Sequence, residues 1–122
     1  MRDVVIVDSV RTGLTKAFRG SFNLTRPDDL LAHCIDSLLD RNPQLGPDEV
    51  EDVYVGAASH AGEQDGNLAR LAVVLSKLPI TAAGVTINRF CSSGLQSIAL
   101  AANQIASGQT EVAIAGGVDS IS

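Results

Sequence analysis

The chain has 122 residues, 45% hydrophobic and only 19% charged, enough apolar material for one folded domain and too much for a disordered tail. Its net charge of −5 argues against binding nucleic-acid backbone, because no basic face offsets the acids. No apolar run is long enough to span a bilayer and no basic-then-apolar leader precedes the first structural signal, so a cytoplasmic chain with no membrane partner is expected.

Val4-Val5-Ile6-Val7 is a β-branched run, the pattern of a strand buried on both faces. Arg11-Thr12-Gly13 breaks it, and a polar loop leads through Gly20 and Asn23. Pro27-Asp28-Asp29 opens a helix, with proline near the first position and acids in the first turn. Leu30, Leu31, Cys34, Ile35, Leu38 and Leu39 then recur at helical spacing until about Arg41, and Asn42-Pro43 ends the helix. Val50 to Gly56 predicts a second strand, and Gly66 to Lys77 a second helix stopped by Pro79. Gly84 to Asn88 predicts a short third strand. Ser92 to Ser107 is a helix apolar on most sides, which predicts that it is buried. Gly108 is a left-handed stop, and Val112 to Gly117 predicts a fourth strand. The order βαβαβαβ implies an α/β fold with a mainly parallel sheet. The chain stops a few residues past the last strand without a closing element, which reads as part of a longer protein.

With only two cysteines, Cys34 and Cys91, no disulfide framework is expected and the chain is expected to be reduced. Cys91 lies where the third strand turns into the third helix, the carboxyl edge at which open α/β sheets bind ligands. The first-turn N–H groups of the helix favour a thiolate there, and they suit the oxyanion formed when a thioester carbonyl is attacked. Ser92, Ser93 and Gly94 are small enough to let an acyl chain approach. The competing reading is a small buried hydrophobe. Cys34, beside Leu31 and Leu38 on the apolar stripe of its helix, fits that reading well.

Asn88-Arg89-Phe90-Cys91-Ser92-Ser93-Gly94-Leu95-Gln96 resembles the amino-terminal active-site signature of the thiolases. Val10-Arg11-Thr12-Gly13 with Phe18-Arg19-Gly20 is similar to the family's opening loop. Ala115-Gly116-Gly117-Val118-Asp119-Ser120-Ile121-Ser122 resembles its next landmark, with Asp119 where the family commonly carries Glu. The resemblance implies a thiolase-like fold, of which residues 1–122 form the amino-terminal βαβαβαβ portion of one half, with a centrally buried nucleophile helix. It implies an acyltransferase working through a cysteine thioester on Cys91, with coenzyme A thioesters such as acetyl-CoA and other acyl-CoAs as substrates. No permanently bound cofactor and no metal are implied, and no cofactor-binding residue is assigned.

The same resemblance implies a homodimer or higher homo-oligomer, paired through the strand Gly84 to Asn88. The family's catalytic Gly-His-Pro and Cys-x-Gly segments and its coenzyme A-binding loop domain are not among these residues. His33 and His60 lack that context and are read as ordinary polar positions, so the 122 residues alone are expected to be inactive. Alternatives are another thiolase-like condensing enzyme, such as a ketoacyl synthase or hydroxymethylglutaryl-CoA synthase, and a non-catalytic lipid carrier or structural fragment. A doubly wound nucleotide binder fits poorly, since no Gly-x-Gly-x-x-Gly turn follows the first β-branched run.

Overall fold

A computed structural model describes all 122 residues. Three parallel strands form its sheet: β1 (Asp52–Gly56) in the centre, β2 (Ala83–Ile87) on one side and β3 (Ala113–Gly117) on the other. The helices are α1 (Pro27–Arg41), α2 (Leu68–Leu75) and α3 (Ser93–Ala106), so α2 and α3 are the crossovers that parallel strands require.

Each helix begins for a local reason. Pro27 takes the first position of α1, where its missing N–H costs nothing, and Asp28 and Asp29 meet the positive end of the helix dipole. Arg26 grips the buried Asp28 side-on, Nε to Oδ1 and Nη2 to Oδ2 both at 3.0 Å. Asn67 caps α2 by accepting the N–H of Arg70.

Period-two alternation on β1 separates the two faces of the sheet. Val53, Val55 and Ala57 point into one hydrophobic core with Leu31, Ile35 and Leu39 of α1 and Leu68, Ala72 and Val73 of α2. Tyr54 and Gly56 face the other way, against α3. The protein is therefore layered as α1 and α2, then the sheet, then α3.

Two expectations need correction. Val4-Val5-Ile6-Val7 forms no strand, and Val5, Ile6 and Val7 are 74%, 79% and 76% exposed. The segment is tied down only at its ends, by Arg2 to Glu111 (3.2 Å) and by Asp8 to Arg41 (2.9 Å) and Asn42 (3.0 Å). Strand propensity expresses a fit to a neighbouring strand, and no strand of this sheet pairs with the run. The helix expected to be buried on all sides is buried along one stripe only. Ser93, Ser97 and Ala101 are covered by the sheet, whereas Leu95 is 73% exposed and Ile98 40%. Its apolar outer face has no second layer against it within these residues.

The exposed run and the core should respond differently to mutation. Val5→Thr is expected to change the stability of the chain by no more than about 0.5 kcal/mol. Val55→Ala, beneath α1 and α2, is expected to cost about 1–3 kcal/mol through lost contacts and an unfilled space. Urea midpoints measure both, and comparable losses would place residues 4–7 in a packed environment.

Candidate active site around Cys91

β2 ends at Ile87 and α3 begins at Ser93, leaving five residues to reverse direction. Asn88 opens the reversal with an Asx turn: its Oδ1 accepts the N–H of Phe90 at 2.8 Å. Its amide Nδ2 donates to the carbonyl of Ala58 at 3.2 Å, which moors the turn to the loop after β1. Phe90 takes the left-handed conformation, φ 49°, which a bulky residue adopts only when its surroundings enforce it. Ser93 is part of that enforcement. Its buried hydroxyl donates to the Phe90 carbonyl at 2.6 Å and accepts the Arg89 N–H at 2.7 Å. Arg89 also reaches along the helix to bond Gln96 through its guanidinium.

Cys91 is the middle residue of the tight turn Phe90–Ser92 that runs directly into α3, and its thiol is exposed. The start of α3 is seated on strand ends that carry no side chain. A Cβ on Gly56 would overlap the carbonyl of Ser93, and one on Gly117 would come within 3.1 Å of Gly94 Cα. Ser97, fully buried, lies 2.7 Å through its hydroxyl from the carbonyls of both Gly94 and Gly116. The helix therefore lies close to the sheet, and Cys91 sits at its positive end, beyond the carboxyl ends of the strands.

The two cysteines are sharply different. Cys34, on α1 and half-buried, has its pKa raised by burial, with a hydrogen bond from the Thr12 backbone working weakly against that. It therefore holds less thiolate near neutral pH, and access to it is restricted. Cys91 should alkylate with iodoacetamide at least about tenfold faster than Cys34 in the folded chain. Peptide mass mapping over time reads this directly, and equal rates would mean that the turn is not formed. The same shift makes α1 weaker in alkali: protonated Cys34 is favoured by folding, so its contribution is present below the thiol's ordinary pKa and fades as pH rises through the higher folded value.

Neither histidine hydrogen-bonds Cys91. His33 is exposed on α1, across the sheet from α3. His60 turns a ring nitrogen to the Ala57 carbonyl at 2.8 Å. Two surface clefts of about 560 and 440 Å³ lie elsewhere, the first around Arg11 and Arg41, the second around Thr12, Phe22 and His33. Asn88 and Ser93 emerge only from the structure as the residues that shape the turn. An asparagine at the end of a strand, two positions before a residue that needs its N–H satisfied, was the available signal for the first.

Residues 4–122 match the family described as the thiolase amino-terminal domain. The chain belongs to the thiolase family. It is 46% identical over 121 residues to a β-ketoadipyl-CoA thiolase of Pseudomonas knackmussii, covering 99% of this chain and 30% of that protein. A β-ketoadipyl-CoA thiolase of Pseudomonas putida is 46% identical over all 122 residues, again 30% of its own length. A 3-ketoacyl-CoA thiolase of Vibrio vulnificus is 43% identical over 119 residues, 31% of its length. The chain thus spans about 30% of the length of these thiolases. The three-stranded parallel sheet with helices on both faces is the α/β arrangement expected of a thiolase amino-terminal domain.

Proposed function

We propose that this chain is the amino-terminal part of a thiolase-type acyltransferase and that Cys91 is its acyl-accepting nucleophile. The observation that carries the reading is an exposed thiol on a strained turn at the start of α3, above a parallel sheet, in a chain of the thiolase family. The names of the relatives point to 3-ketoacyl-CoA substrates, and the reading has coenzyme A thioesters entering and leaving without a resident cofactor.

In the degradative direction the Cys91 thiolate attacks the ketone carbon of the 3-ketoacyl-CoA. The bond between that carbon and its neighbour breaks, and the acetyl-CoA carbanion leaves and takes up a proton. The acyl group stays on Cys91 as a thioester until the thiolate of free coenzyme A attacks it, releasing the shortened acyl-CoA and regenerating the Cys91 thiolate. Condensation of two acetyl-CoA units is the same sequence reversed. The Cys91 N–H, at the positive end of α3, supplies part of the oxyanion site.

Proton transfer needs a positioned acid and base, and neither His33, on α1, nor His60, bonded to the Ala57 carbonyl, makes a hydrogen bond to Cys91. The 122 residues by themselves are therefore expected to lack turnover. The test is acetyl-CoA incubation of the full-length protein followed by mass mapping. Acetylation of the peptide bearing Cys91 supports the reading; a full-length protein that turns over without it refutes the reading.

Pairing of two copies through the free edge of β2, where Val85 is 38% exposed, is part of the same proposal, as are a homo-oligomeric state and a cytoplasmic location. A monodisperse monomer in light scattering would count against the pairing. No helix is long and apolar enough to cross a membrane.

A further inference from the structure

Asp119 stands just past β3, and its carboxylate turns sideways to the loop that follows β1. Oδ1 and Oδ2 accept the N–H of Ala58 at 3.0 and 3.1 Å, and Oδ1 also accepts the N–H of Ser59 at 3.3 Å. Beneath it lies Gln64, 2% exposed, with both ends of its amide occupied. Its Nε2 donates to the Ser59 carbonyl at 2.6 Å and to Asp119 Oδ1 at 3.3 Å, and its Oε1 accepts the N–H of Ser120 at 2.5 Å. A buried amide that is fully satisfied leaves the carboxylate little freedom.

The clamped loop leads to the nucleophile. The peptide unit between Ala58 and Ser59 is bonded at both ends, its N–H to Asp119 and its carbonyl to Asn88 Nδ2 at 3.2 Å. Asn88 Oδ1 then takes the N–H of Phe90 at 2.8 Å, and Phe90 is the left-handed residue immediately before Cys91. Hydrogen bonds in series through one peptide group polarise one another, and each fixes the orientation of the next. The path joins the ends of all three strands, since Ala57 N–H also bonds the Ile87 carbonyl and Val118 N–H the Gly56 carbonyl, both at 3.0 Å.

We infer that Asp119 is a positioning residue for the nucleophilic turn, acting through the Ala58–Ser59 peptide and Asn88 to hold Phe90, and with it the Cys91 thiol and N–H, in the attacking geometry. The inference rests on Cys91 being the acyl-accepting nucleophile. A turn released from this clamp keeps an accessible thiol but loses the alignment of the thiol and N–H about the substrate carbonyl. Misplacement of this kind can cost about a hundredfold in rate.

The experiment compares the full-length protein with Asp119→Asn, Asp119→Glu, Asn88→Ala and the Asp119→Asn/Asn88→Ala double variant. Two rates are followed by mass spectrometry: acetylation of Cys91 by acetyl-CoA, and iodoacetamide labelling of Cys91 and Cys34. Asp119→Asn removes the charge and replaces one of the two acceptor oxygens shared by the Ala58 N–H with an NH2 that opposes it, and should slow acetylation by about ten- to a hundredfold. Asn88→Ala should do the same, and the double variant should be no slower than the slower single one, because both break one path. Asp119→Glu, which keeps the carboxylate, should recover to within a few-fold of wild type. Cys34 labelling should stay constant throughout, since that thiol lies on the far face of the sheet.

Wild-type acetylation rates in Asp119→Asn, or losses that multiply in the double variant, overturn the inference. Cys34 labelling that rises in step with the loss overturns it too, in favour of general loosening; if Asp119→Asn alone fails to fold, Asn88→Ala carries the comparison. A wild-type protein that never acetylates at Cys91 refutes the nucleophile reading itself, a result distinct from all of these.

Discussion

Cys91→Ser in the full-length protein is expected to lower kcat/KM for thiolysis of acetoacetyl-CoA by at least about a thousandfold, with the fold unchanged. The substitution keeps size and hydrogen-bonding capacity but replaces a sulfur nucleophile with an oxygen that is a far weaker one. Within residues 1–122 no side chain hydrogen-bonds Cys91 to take the proton from a hydroxyl in its place. His33 is across the sheet and His60 is engaged with the Ala57 carbonyl. A serine ester would also have to replace the thioester through which the acyl group is returned to coenzyme A. Because the side chain is exposed, the urea midpoint should move by no more than about 0.5 kcal/mol equivalent. Retained turnover in Cys91→Ser would remove Cys91 from the chemistry and leave a non-nucleophilic role for the turn. The parallel substitution Cys34→Ser would leave thiolysis intact.

Gly56→Ala is expected to destabilise the chain by about 3 kcal/mol, the upper end of ordinary overpacking, and to displace the Cys91 turn. The added Cβ would overlap the Ser93 carbonyl and lie 2.6 Å from Gly94 N. These are backbone atoms of the first turn of α3, so no side chain can rotate out of the way. The helix must lift from the sheet or β1 must bend. Lifting breaks the contacts of the buried Ser97 hydroxyl with the Gly94 and Gly116 carbonyls. It also pulls Ser93 from beneath the turn, where it holds Phe90. Gly116→Ala is the control, on the neighbouring strand with nothing within 4 Å of its added Cβ, and should be nearly neutral. Urea denaturation of both variants, with Cys91 labelling as the local probe, decides the matter. A Gly56→Ala protein as stable as Gly116→Ala would mean that α3 is not seated on β1 as described.

The glycine at position 56 shows how sequence and structure divide the problem. A glycine ending the strand-forming stretch Val50 to Val55 reads equally well as a strand terminator or as a place where something approaches closely. Only the packing of α3 against it distinguishes the two. The same holds for Ser93, whose smallness was legible but whose inward-turned hydroxyl was not, since that depends on Phe90 adopting a left-handed conformation one turn earlier.

By itself the sequence determined the elements whose causes are local. Pro27 with its two acids starts α1, the 3.6-residue recurrence of leucines carries it to Arg41, and Gly108, at φ 82°, follows the end of α3. It also determined the thiolase signature around Cys91, because that chemistry needs particular residue types at consecutive positions. The tertiary structure alone decided which apolar segments are covered. Val4 to Val7 and the outer face of α3 carry the composition of buried elements, yet both are exposed, because burial belongs to a pair of surfaces and propensity describes only one of them. It also decided that Asp119 and Asn88, far apart along the chain, bond opposite ends of the same Ala58–Ser59 peptide. Hydrogen bonds between strand ends depend on the order of strands in the sheet, β2-β1-β3, and that order is not written in any single segment.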